Sequence, residues 1–151
     1  MVLVVEFLLL LLLANGTPVL ARRLLRQHFA WPLDGGLQLP DGQPLFGTSK
    51  TLRGILLSLV VTGIGAQLLG LGWQLGFLVA ALAMAGDLFS SFIKRRMKLP
   101  SSTSAPGLDQ IPESLFPALA CQTQLGLGAI EIAAIVTIFL IGNLLASRLG
   151  L

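Results

Sequence analysis

The residues with the most chemical potential cluster in two short stretches. Asp87, Ser91 and Lys94 stand at i, i+4 and i+7, so on a helix they share one face. A single stripe then carries a carboxylate, a hydroxyl and an ammonium. Asp109 and Glu113 follow, four apart, and would also share a helical face. Bases surround both groups: Lys50 and Arg53 before them, Lys94, Arg95, Arg96 and Lys98 between them. Carboxylates with Lys and Arg suit a hard cation and crowded phosphate oxygens. His28 and Cys121 are the only residues of their kinds. Zinc cages built from several such residues are therefore excluded, as is an ordinary Cys-His nucleophilic pair. One cysteine also permits no internal disulfide.

The elements that must hold these residues are apolar. The chain has 151 residues, of which 54% are hydrophobic and only 11% charged, and a mean hydropathy of +0.85. A soluble domain would carry about 25% charged residues. Lipid must cover much of this surface. The expected fold is all-α, a single polytopic membrane helix bundle with about five transmembrane helices. The spans run roughly 2–21, 54–71, 72–93, 115–128 and 129–147. The fourth is short and contains Gln122, Thr123 and Gln124, so it is expected to tilt or to pack inside the bundle. No positively charged stretch precedes the first apolar run, which favours a retained helix over a cleaved signal.

Charge placement then orients the bundle. With the N-terminus outside, the polar loops 22–53 and 94–113 and the C-terminus are cytoplasmic. Every Lys and Arg then lies inside, Arg22, Arg23, Arg26 and Arg148 included, as the positive-inside rule requires. Those three N-terminal arginines read as topology anchors. The expected location is the cell (inner) membrane, multi-pass, with the chemistry facing the cytoplasm. Asp87 falls just under that interface, where a carboxylate is costly and is a functional candidate. An ion pair with Lys94 or Arg95 is its structural alternative. Asp34 and Asp41 lie in a Gly- and Pro-rich loop and read as turn formers. Lys50 and Arg53 open a helix, and a helix N-terminus attracts anions. The run from Gly42 to Thr51 superficially resembles a P-loop, but Thr-Ser separates the second Gly from Lys50 and no βαβ pattern surrounds it.

Several motifs in order resemble one family. Gly86-Asp87-Leu-Phe-Ser-Ser91-Phe-Ile-Lys94-Arg95-Arg96 followed by Gly107-Leu-Asp109-Gln110 is similar to the signature of the CDP-archaeol synthase family, relatives of the phosphatidate cytidylyltransferases. Asn15-Gly-Thr-Pro18, Pro32-Leu-Asp34-Gly35, Asp41-Gly42, Phe46-Gly47 and Lys50-Thr-Leu-Arg53-Gly54 fit as well. Two departures stand out. The Asp-Arg-x-Asp ending of the phosphatidate enzymes is absent, leaving Glu113 as the only second acid, and Leu99-Pro100 replaces a Lys-Asp pair.

The resemblance implies a CTP-dependent cytidylyltransferase acting on a membrane lipid phosphate, forming a CDP-lipid and pyrophosphate. It implies Mg²⁺ as cofactor on Asp87, Asp109 and Glu113. Asp87, Lys94 and Asp109 would be catalytic, and Lys50, Arg53, Ser91 and Arg95 would bind substrate. Expected partners are CTP, the lipid phosphate and the bilayer, with a homodimer compatible and nucleic acid excluded. Isoprenoid and diacyl lipids present the same phosphate, so the choice between them stays open. The competing class is a small transporter or a non-catalytic membrane subunit. Transporters gather ionisable groups near the midplane, whereas the acids here cluster at the cytoplasmic mouth.

Overall fold

A computed structural model describes residues 2–148, and among them every regular element is a helix. The order is α1 (Val2–Leu25), α2 (Leu52–Leu68), α3 (Trp73–Arg96), α4 (Gln110–Ala120), α5 (Gln122–Leu125) and α6 (Ala129–Arg148). Three of these, α1, α3 and α6, are long and apolar enough to cross a membrane, and α2 is a shorter apolar helix of 17 residues. The sequence places leucines and valines all around α1, and isoleucines and leucines all around α6, so both bury one stripe and leave the other to lipid. On α1, Phe7, Leu10, Leu11 and Ala14 are fully buried while Leu9, Leu12 and Leu20 are exposed.

The fourth apolar segment, expected to tilt or to pack inside the bundle, packs inside it with shifted bounds. Against the expected bounds 115–128, α4 starts earlier, at Gln110, and stops at Cys121; α5 adds one turn before Gly126. The 11 residues of α4 cover about 16 Å, half the hydrocarbon thickness. Pro117 removes one ladder hydrogen bond, and the amide-rich run Gln122-Thr-Gln124 has nothing to gain from lipid. α4 packs on α3 and α6 with Glu113, Ser114, Pro117 and Ala118 buried.

Two close approaches fix the bundle where it matters. Pro18, inside α1, cannot donate to the Ala14 carbonyl; Ser58 of α2 donates to that carbonyl instead, at 2.7 Å. Gly86 of α3 lies against the main chain of Pro112 and Glu113, and a Cβ there would collide with it. That glycine lets α4 ride directly on α3 beside Asp87.

The loop 26–51 is a chain of turns tied by backbone bridges between Pro32 and Thr51 and between Gln38 and Pro44. Asp34 organises it, accepting from the amides of Gly36 (3.1 Å), Phe46 (2.9 Å) and Gly47 (3.2 Å). Burial alone would raise the Asp34 carboxyl; the N–H groups of Phe46, Gly36 and Gly47 together outweigh it and hold the pKa below the ordinary value. Thr51 then caps α2 through the Gly54 amide.

Candidate active site

A pocket of about 300 Å³ opens where the cationic ends of α1 and α3 meet the start of α2, the 101–109 loop and α4. The expected stripe of α3 faces it: Asp87, Ser91 and Lys94 all line the cavity, as do Lys50, Arg95, Asp109 and Glu113. Arg53 is the exception. Its guanidinium turns away to the main-chain carbonyls of Arg26 and His28, and it is absent from the lining. The reason is local: two helical positions beyond the Thr51 cap, it projects toward the 26–28 turn that leaves α1.

The charges are paired across elements. Lys50 Nζ sits 2.5 Å from both carboxylate oxygens of Asp87. The structural alternative that would pair Asp87 with Lys94 or Arg95 is therefore not realised. Lys94 Nζ lies 2.6 Å from Asp109 Oδ1 and donates to the Thr103 carbonyl at 2.9 Å. The other Asp109 oxygen accepts the Ala105 amide at 2.8 Å. Glu113, 9% exposed, carries its side chain against that of Asp87. Arg95 is 3% exposed and holds the 100–101 turn through Ser101 Oγ (2.9 Å) and the Pro100 carbonyl (2.7 Å). Ser90, one step round the helix, donates to Leu108 O at 2.6 Å and so anchors the loop that delivers Asp109.

Arg96 belongs to a different task. It reaches Asp41 Oδ2 at 2.7 Å and the Pro44 carbonyl at 2.6 Å while stacking over Phe92, which ties the first loop to the end of α3. Arg22, Asn15 and Asn143 are among the lining groups that sequence reasoning missed. Arg22 looked like an anchor, yet it lines the pocket and donates to the Ser49 carbonyl at 2.9 Å. Asn15 and Asn143 line it from α1 and α6. The i, i+7 spacing of Asn15 and Arg22 was the available signal.

The donor set suits a hard cation together with an anion. Among the described residues no three His, Cys, Asp or Glu form a ready-made metal cage. Mg²⁺ commonly takes only one or two carboxylates and completes its shell with water and substrate phosphates. Asp87, Asp109 and Glu113 offer such oxygens beside cationic groups. Asp109 Oδ1 is engaged by the Lys94 ammonium, while the buried Nε donors of Arg95, Arg53 and Arg96 lack a hydrogen-bond partner among the described residues.

The CarS-like CDP-archaeol synthase profile matches residues 3–151. Curated relatives include the CDP-archaeol synthases of Pyrobaculum calidifontis, 39% identical over 70% of this chain and 66% of that one, and of Pyrococcus furiosus, 40% identical over 64% and 60%. That of Aeropyrum pernix is 36% identical over 93% of this chain and 83% of its own. The matched stretch thus spans 66% and 60% of the first two relatives' length. A solved structure described as an intramembrane enzyme for archaeal membrane lipids biosynthesis superposes with a TM-score of 0.76 at 30% identity, covering 95% of this chain and 92% of that one. With a membrane helix bundle, a pocket of carboxylates and bases at its charged end, and a family match along nearly its whole length, this chain belongs to the CDP-archaeol synthase family.

Proposed function

We propose that this chain is a CTP-dependent cytidylyltransferase that converts a membrane lipid phosphate into a CDP-lipid and pyrophosphate. The observation that carries the reading is the convergence of Lys50, Asp87, Lys94, Arg95, Asp109 and Glu113, drawn from three separate stretches, on one pocket at the cationic end of a membrane bundle.

The reaction needs little covalent help from the protein. A phosphate monoester has a second pKa of about 6, so the nucleophile is largely ionised at neutral pH without a general base. A lipid phosphate oxygen attacks the α-phosphorus of CTP; the bond from that phosphorus to the bridging oxygen breaks, and pyrophosphate leaves with the electron pair. The protein's work is to hold crowded anions together and stabilise the charge that develops. Lys94 and Arg95 bind phosphate oxygens, with Ser91 donating from the same face, and Lys50 neutralises charge near Asp87. Mg²⁺, held by Asp87 and Asp109 with Glu113 beside them, would supply electrostatic stabilisation of the phosphate oxygens. Arg53, turned to the carbonyls of Arg26 and His28, serves the loop in this reading.

The chain sits as a multi-pass protein in the cell membrane with the pocket facing the cytoplasm, where CTP is available. The placement of Lys and Arg supports this orientation. The experiment is direct: purified protein with labelled CTP, a panel of lipid phosphates and added divalent cation. CDP-lipid should form with Mg²⁺, stop reversibly on chelation and be supported poorly by Ca²⁺, whose oxygen coordination is longer and looser. Absence of CDP-lipid across the panel, or turnover indifferent to chelation, would overturn the reading.

A further inference from the structure

One face of α1 remains without a role in that reaction. Asn15, Pro18, Val19 and Arg22 all line the pocket, and their spacing of three, four and seven makes them a single helical stripe. At 1.5 Å per residue, Asn15 lies about 10 Å along the axis from Arg22, deeper into the bundle. Asn143 of α6 lines the same cavity.

Polar side chains inside apolar spans are costly and usually face a cavity or a partner. Each of these amides is half used. Asn15 donates to the Leu11 carbonyl at 3.1 Å and Asn143 to the Phe139 carbonyl at 2.9 Å, which leaves each a second N–H and a side-chain oxygen. Arg22 has a single bond, to Ser49 O, among the described residues, so most of its donor fork is available. The outward faces beside them are apolar: Leu20 on α1, Ile141 and Leu145 on α6, all exposed. The cavity therefore grades from a charged mouth into a wall shared by two lipid-facing helices. A lipid phosphate cannot leave the bilayer, so its headgroup must reach the reacting centre from that side.

We propose that the α1 stripe and Asn143 form the lipid half of the site. Arg22 takes the phosphate monoester of the lipid, and Asn15 and Asn143 hydrogen-bond the oxygens that join its glycerol to the chains. The nucleotide then occupies the side of Lys94, Arg95 and Asp109. This inference rests on the cytidylyltransferase reading for its substrate class, but lipid binding tests it separately.

The test uses the full chain in mixed micelles with a dialkylglycerol phosphate as probe. Arg22→Gln should raise the KM for the lipid about 10-fold or more, the scale of a charge-assisted hydrogen bond. The KM for CTP should stay within about twofold, far below the effect of losing such a bond. Arg22→Lys should recover part of the loss, and Arg23→Gln should match the wild type. Asn15→Leu and Asn143→Leu should each raise the lipid KM about 3- to 10-fold, the effect of one neutral hydrogen bond. CTP affinity by titration calorimetry should be retained in every variant, which reports an intact fold. Binding of the probe without CTP separates the two failures. Wild-type binding that falls in Arg22→Gln, with no turnover by wild type, would sink the reaction and keep the site. Wild-type turnover with lipid binding and lipid KM unchanged in Arg22→Gln, Asn15→Leu and Asn143→Leu would sink the site. So would equal rises in both KM values.

Discussion

Lys50 Nζ bridges both carboxylate oxygens of Asp87 at 2.5 Å, joining residues 37 positions apart. The two side chains are 19% and 20% exposed, so neither is deeply buried nor freely hydrated. The pair draws the end of the first loop onto α3 and sets the Asp87 carboxylate in front of Glu113. Lys94 and Asp109 repeat the arrangement on the other side of the cavity. Both acids thus rest against ammonium groups that phosphate oxygens would compete for.

Removing Asp87 should therefore separate activity from stability. Asp87→Asn should lower CDP-lipid formation at least about 100-fold, on the scale of losing an electrostatic stabiliser of the reaction. Insertion and expression should persist. Lys50→Met alone should destabilise by about 1–3 kcal/mol, because Asp87 loses its partner in a partly buried place. The double variant should regain part of that stability while staying inactive. Thermal melts in detergent alongside the CTP assay would check this; a fully active Asp87→Asn would remove Asp87 from the site.

Asp34 makes a prediction about pH. Its folded pKa lies below the ordinary aspartate value, so its contribution is a depressed-carboxylate case. The stabilisation is fully present above the unfolded pKa and is lost as pH falls through the folded one. Loop order should thus hold from neutral pH down to about 4 and decline below. Asp34→Asn should show reduced amide protection at Phe46 and Gly47 already at pH 7, with a smaller activity loss than Asp87→Asn. Hydrogen exchange across the loop would read it, and unchanged protection at both amides would refute it.

Gly86→Ala tests the α3–α4 contact. The added Cβ meets the Pro112 carbonyl group and the Glu113 nitrogen, main-chain atoms with little freedom to yield. Overpacking of this kind costs about 1–3 kcal/mol or more. Because α4 carries Glu113 and follows Asp109, activity should fall further than the melting temperature alone would explain. A variant with wild-type melting temperature and turnover would contradict the contact.

Topology can be read with reporter fusions. Fusions after Gln43 and after Thr103 should report the cytoplasm, and one after Leu71 the outside. A cytoplasmic signal at Leu71 would overturn the expected orientation and, with it, the cytoplasmic placement of the pocket.

What the sequence determined by itself is what depends on neighbours along the chain. Continuous leucine and valine runs dictate apolar helices, because a backbone in lipid must satisfy its own hydrogen bonds. The helical repeat put Asp87, Ser91 and Lys94 on one face, and all three line the pocket. Asp34 was legible as a turn former because its Asx turn to Gly36 is local; its bonds to Phe46 and Gly47, 12 and 13 positions away, were not.

Tertiary structure decided everything that depends on the path of the chain between helices. It paired Asp87 with Lys50 rather than Lys94, since the loop closed at Pro32 and Thr51 delivers Lys50 there. It turned Arg53 to carbonyls at the end of α1 and brought Arg22 into the cavity. It also shifted and divided the fourth apolar segment and pressed it onto α3 at Gly86. Composition marks that segment as apolar, but whether it crosses the membrane whole depends on what its prolines and glutamines meet, and that is a property of the packed bundle.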